Sequence, residues 1–137
     1  MAATVAGQKI SQYGVELYTA GSGGTTLGKA VKFSASKTVV LTAAVADLTI
    51  GIALETVAAA ATAQVALVGS PNIVKALVGT GGATRGTMAT YVSDGLTDVT
   101  NGAGTTSVFA VGQWLESGVA GELRELNLGV GGPMVKA

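Results

Sequence analysis

The sequence contains neither cysteine nor histidine. That excludes thiol nucleophiles, zinc sites built on Cys or His, and imidazole acid–base chemistry. The lack of cysteine leaves the compartment open and says only that folding does not rely on oxidation. Charge is scarce too: charged residues make up 12% of the chain, and eight basic residues balance eight acidic ones. Neither sign clusters, so there is no footprint for nucleic acid or an anionic membrane. No run of 18 apolar residues occurs, so no membrane-spanning helix is expected. The N-terminus has no basic flank followed by an apolar block, and no secretory signal is read there.

What remains is a chain of 137 residues, long enough for one domain with a real core. It is rich in Ala and Gly and has a net charge of zero. Net charge keeps surfaces apart, so a surface this weakly charged is expected to be covered in part by partners in an assembly.

The chain also repeats itself. Ile50-Gly51-Ile52-Ala53-Leu54-Glu55 and Gln64-Val65-Ala66-Leu67 match Val111-Gly112-Gln113-Trp114-Leu115-Glu116 and Glu125-Leu126-Asn127-Leu128 at an offset of 61. Upstream, Gly28 to Phe33 matches Gly86 to Tyr91 at an offset of 58. Units of about 42 residues, at 28–69 and 86–129, predict two similar β-motifs around one core.

In order, residues 1–13 read as an extended arm with few apolar anchors. Alternation at Tyr13, Val15 and Leu17 predicts a first strand, followed by a glycine-rich loop at Ala20–Thr26. Ala30–Ser34 and Thr38–Thr42 form a hairpin pattern, and Ala43–Asp47 has the propensity for one helical turn. Thr49–Leu54, Gln64–Val68 and Ile73–Val78 read as strands. The loop Gly79–Gly86 is placed between the two repeats. Thr87–Val92, Thr97–Thr100, Ser107–Leu115 and Glu122–Leu128 follow as strands, with a hairpin signal at Asn101-Gly102. Residues 129–137 read as a flexible tail. Short strands, glycine-rich turns and little helix predict an all-β fold, a compact sandwich or barrel-like domain over 14–128.

Several patterns suggest chemistry and are discounted on physical grounds. Gly23–Lys29 has the glycine and lysine spacing of a phosphate-binding loop, but Ala30 stands where a metal-binding hydroxyl is needed, and a strand pattern follows instead of a helix. Glu55 and Glu116 occupy equivalent repeat positions, which does not make them face each other as a catalytic pair. Asp94 and Asp98 flank a turn, where Asp caps backbone amides. Lys32 resembles the modified lysine of lipoyl or biotinyl carrier domains, though it lies between Val31 and Phe33 within a strand pattern. Trp114, the lone tryptophan, reads either as a core aromatic or as an anchor in a subunit contact.

Taken together, Gly28-x-x-Val31, Ile50–Leu54, the Ala-rich turn and Gln64–Leu67 resemble the small capsid cement or head decoration proteins of tailed bacteriophages. The resemblance covers roughly residues 14–128. It implies a homo-oligomer, a trimer being favoured, on the outer surface of the virion, bridging subunits of the major capsid protein. No enzyme activity, cofactor, catalytic residue, metal site, nucleic-acid partner or membrane partner is expected. The expected capsid or subunit contacts are Gln8, Lys9, Ile10 and Tyr13 of the arm, with Trp114. Alternative readings are a self-assembling β-module of a tail or fibre, and a carrier domain.

Overall fold

The computed structural model describes residues 14–101 and 107–135. Five strands build the first half: β1 (Val15–Ala20), β2 (Ala30–Ala35), β3 (Thr38–Leu41), β4 (Gly51–Ala53) and β5 (Thr62–Leu67). They close into a barrel in the order β1-β3-β2-β4-β5, with β5 returning to β1. All pairings are antiparallel except β1 with β3. Closure leaves no free sheet edge in this half.

The second half contains β6 (Ile73–Leu77), β7 (Met88–Val92), β8 (Gly95–Asp98), β10 (Gly112–Trp114) and β11 (Leu123–Asn127). Their order, β6-β11-β10-β7-β8, is the same circuit, and a parallel bridge from Val78 to Leu96 joins its ends. The fold is all-β, with a closed barrel and a second antiparallel sheet. A further strand, β9 (Ser107–Ala110), precedes β10 and pairs with β12 (Gly132–Val135).

The repeat is more extensive than the 28–69 and 86–129 halves. Gly21 donates to the Val39 carbonyl at 2.7 Å, and Gly79 donates to Leu96 at 2.8 Å. Thr25 and Val57 exchange hydrogen bonds, as do Ala83 and Gly118. The pairs Val15–Ala66, Ala66–Ile52 and Ile52–Ala30 recur as Ile73–Asn127, Asn127–Gln113 and Gln113–Met88. Each unit therefore includes its own first strand, spanning 14–69 and 72–129. The loop Gly79–Gly86 lies inside the second unit and is the counterpart of Gly21–Gly28. Gly24 and Gly82, with φ of 69° and 78°, occupy the same left-handed position in the two loops, where a side chain would be strained.

Two other expectations differ from the structure. Residues 43–47 form a turn, not a helical turn, because the Asp47 carboxylate takes the Ala43 and Ala44 amides at 2.9 and 3.0 Å. Past residue 128 there is no loose tail through Val135: Leu128–Val130 is a 3₁₀ turn capped by the Asn127 side chain, and β12 follows. Backbone hydrogen bonding to β9 supplies the order that the side-chain pattern of this segment does not signal.

Alternation along β2, β4 and β5 sends two sets of side chains to opposite faces. Val31, Ala53 and Val65 pack with Val39 and Tyr18 inside the barrel. Ala30, Ile52 and Ala66 point the other way and join the core of the second unit. Inside that unit the counterparts are Ala89, Trp114, Leu126, Leu96 and Ala76. Volume is redistributed between the two interiors. Where the first has Tyr18 and Ala53, the second has Ala76 and Trp114, so each has one large aromatic opposite one alanine, as close packing demands.

Candidate functional site: an open barrel mouth

The residues singled out by their chemistry occupy structural positions. The stretch Gly23–Lys29 forms turns leading directly into β2, with no helix N-terminus to receive a phosphate. Lys32 lies within β2 and pairs with Asp47 at 2.8 Å. Trp114 is fully buried in the core, so it is a packing residue and not a surface anchor. Gln8, Lys9, Ile10 and Tyr13 lie outside the described residues.

The carboxylates hold the loops. Asp94 accepts the Thr80 amide at 2.8 Å and its hydroxyl at 2.7 Å, and Asp98 accepts the Thr84 amide at 2.9 Å. Both acids thus cap amides, in a glycine loop brought alongside by the β7–β8 hairpin. The Thr80 donors hold the Asp94 carboxyl below the usual range. Glu116 accepts from Lys75 at 3.0 Å and from the Glu125 amide at 2.9 Å, and these contacts, Lys75 first, lower its pKa. Leu17 stands in the first unit where Lys75 stands in the second, so Glu55 has no equivalent lysine. Among the described residues no group of three or more Asp or Glu side chains converges as a cation site would require.

Asp47 has the best-defined role of these acids. The hydrogen bond from Lys32, then the Ala43 amide, pulls its pKa down. A carboxyl with a depressed folded-state pKa stabilises the fold above the unfolded pKa of about 4, and that contribution fades as pH falls through the folded value. Asp47→Asn is therefore expected to cost about 2 kcal/mol at pH 7, typical of hydrogen bonds to a charged group. The penalty should begin to shrink below about pH 4, as the unfolded-state carboxyl takes up its proton, and vanish once the pH has fallen through the lower folded-state value. Urea midpoints of both proteins at pH 7 and pH 3 read this directly. A penalty equal at both pH values would show that charge plays no part.

The feature without a structural explanation lies at one end of the first barrel. Tyr18, Phe33, Leu48, Ile50, Leu67 and Phe109 line an open groove of about 480 Å³. Tyr18 and Phe33 meet edge to face at 5.3 Å, and the Lys37 ammonium stands 5.7 Å above the Tyr18 ring. On the far side of these rings the surface continues past Ala35, Ser36 and Lys37. Burial, then the charge of Glu16, raises the Tyr18 pKa, which keeps the phenol neutral near pH 7. Leu48 is 71% exposed and Phe33 49% exposed, although each adjoins other apolar side chains. Scattered exposed leucines are ordinary, whereas a contiguous apolar mouth on a neutral chain marks a surface made to be covered.

Sequence reasoning pointed to the arm and to Trp114 and missed this mouth. Its residues come from five separated stretches, and Leu48 follows Asp47 in a turn with no alternation to mark it. Comparison of the chain with family models gives no match, and comparison with curated proteins gives none either.

Proposed function

We propose that the protein is a structural virion component that binds the outer surface of a phage capsid and stabilises the head by bridging major capsid subunits. The observation that carries the reading is the apolar mouth, in a chain whose composition leaves little charge to keep surfaces apart. A two-unit β-body with its polar side chains committed to loops and caps is suited to rigid docking, where affinity comes from buried apolar area around a few anchors. The resemblance of Gly28-x-x-Val31, Ile50–Leu54 and Gln64–Leu67 to cement proteins is what suggests a capsid as that surface.

Co-sedimentation with purified expanded heads tests this. The protein should pellet with heads at saturable stoichiometry and raise the temperature at which they release DNA. A protein that stays in the supernatant at all concentrations would refute the capsid as partner. If it forms large assemblies by itself and ignores heads, the tail or fibre module takes its place.

A further inference from the structure

The mouth of the first barrel has a counterpart in the second unit, and there it is covered. At the offsets set by the strand pairing, Tyr18, Phe33, Leu48, Ile50 and Leu67 correspond to Ala76, Tyr91, Phe109, Val111 and Leu128. Val111 and Leu128 are fully buried, in one cluster with Ala30, Ile52 and Ala66 of the first unit. Hydrogen bonds cross the same junction: Leu77 donates to the Gly28 carbonyl at 2.9 Å, Phe109 to Val45 at 2.8 Å, and Gly69 to Leu128 at 2.7 Å. The β7–β8 turn, Tyr91 to Gly95, faces Lys29, Ala30 and Thr42 across a narrow cleft. Within one chain, then, the mouth of the second unit is seated on the outer wall of the first. That wall is the row Val15–Ala66–Ile52–Ala30 across β1, β5, β4 and β2.

This junction is heterologous, mouth to wall, and it leaves the first mouth open and the second wall only partly covered, because Met88 at one end of that wall packs against Val99, Val108 and Ala110. The free mouth belongs to the first unit. The corresponding wall of the second unit is the row Ile73–Asn127–Gln113–Met88. Ile73 on that row is 60% exposed, and Gln113 and Asn127 are half-buried. At the rim of the mouth Ser36 and Lys37 offer a hydroxyl and an ammonium for the remaining valences of the two amides, which within the chain already join Gln113 to the Gly86 carbonyl and Asn127 to the Gly129 amide, each at 3.0 Å.

From this we infer that a second copy of the chain fills the mouth, by the uncovered β6–β11–β10 part of its wall, echoing between chains the junction that exists within each. Such head-to-tail contacts either close into a ring or continue as an open chain. The inference rests on the reading that the protein works by association, but it assigns the mouth itself to a second copy, so that any head binding falls to the surfaces the assembled chains leave exposed. It needs no capsid, so its test is separate from head binding.

The test uses the full chain and two variants at exposed positions. Leu48→Glu spoils the mouth and leaves the wall intact, whereas Ile73→Glu does the reverse. Circular dichroism establishes that both fold. In light scattering the wild type should have at least twice the mass of one chain, and each variant alone should fall to the mass of one. An equimolar mixture should recover a dimer of one chain of each kind, because one good mouth and one good wall remain between them. A wild type that is monomeric up to high concentration overturns the inference. So does an Ile73→Glu protein that still assembles, which would mean mouth-to-mouth contact, or a mixture that stays monomeric. A wild type that self-associates as expected but stays in the supernatant with heads would count against the capsid reading alone.

Discussion

Trp114→Ala is expected to lower stability by about 3–5 kcal/mol, the range for deleting a buried aromatic. Small domains have about 5–15 kcal/mol in total, so the variant is expected to lose much of its cooperative unfolding transition. The two interiors exchange volume, the first having Tyr18 and Ala53 where the second has Ala76 and Trp114. Ala76 and Ala89 surround Trp114 in the core of the second unit, and neither can expand into the space an indole leaves. The same core is where Ala30, Ile52 and Ala66 of the first unit are seated, so a cavity there loosens the junction as well. Trp114 carries one further mark: its indole Nε1 is buried with no hydrogen-bond partner among the described residues. An unpaired buried donor costs about 1–3 kcal/mol, so removing it offsets part of the loss when the ring is exchanged for a smaller one. Trp114→Phe is therefore expected to cost less than half as much as the alanine variant. Urea denaturation followed by far-UV circular dichroism measures both. Equal costs for Phe and Ala would show that the indole edge, and not the filled volume, is what matters.

Much of this architecture was legible in the sequence because β-structure writes itself in short alternations punctuated by glycine. Ile50–Leu54 and Gln64–Leu67 alternate toward two buried faces, and their echo at Val111–Leu115 and Glu125–Leu128 fixes the second copy. The opening strand of each unit was harder to match. β1 alternates, with Leu17 and Tyr18 on opposite faces, whereas β6 has Lys75 and Ala76 there. Yet the loops that follow share glycine at the same four of eight positions, Gly21, Gly23, Gly24 and Gly28 against Gly79, Gly81, Gly82 and Gly86, and these place the unit boundary near residue 70. The site was less legible than the fold for a physical reason. The mouth is defined by what covers it, and Leu67 and Leu128 look alike in sequence although one is half-exposed and the other is wholly enclosed. Only the packing of one unit on the other distinguishes them. Trp114, expected among the subunit or capsid contacts, is a core residue instead; composition could not separate the two, since a lone tryptophan is favoured both in cores and at interfaces.

Gly51 and Gly112, the glycines that first revealed the repeat, are expected to be nearly as sensitive as the tryptophan. Neither has a positive φ, so backbone conformation alone does not demand glycine at either site. The demand comes from close approach. A Cβ on Gly51 would lie 2.1 Å from the Ala66 carbonyl oxygen, and one on Gly112 would lie 2.4 Å from that of Asn127. In both cases the obstacle is backbone in the adjacent strand, which cannot swing aside as a side chain can. Gly51→Ala and Gly112→Ala should each cost about 3 kcal/mol, the upper part of the range for overpacking, as β4 or β10 is forced away from its neighbour. Gly121→Ala supplies the contrast. Its φ of 93° is unfavourable for alanine, but a Cβ there meets nothing within 4 Å. At the equivalent position of the first unit the chain already holds Ala60 at φ 72°. Gly121→Ala is thus expected to cost about 1 kcal/mol, the penalty for a single left-handed L-residue. The order of urea midpoints should be wild type, then Gly121→Ala, then Gly51→Ala and Gly112→Ala together. If Gly51→Ala proved no worse than Gly121→Ala, the strands would have to separate at little cost, and the repeated glycine would need another cause. Matching losses at Gly51 and Gly112 would instead mean that the two halves share the same constraint at the centre of each sheet, which is why glycine stands at both places.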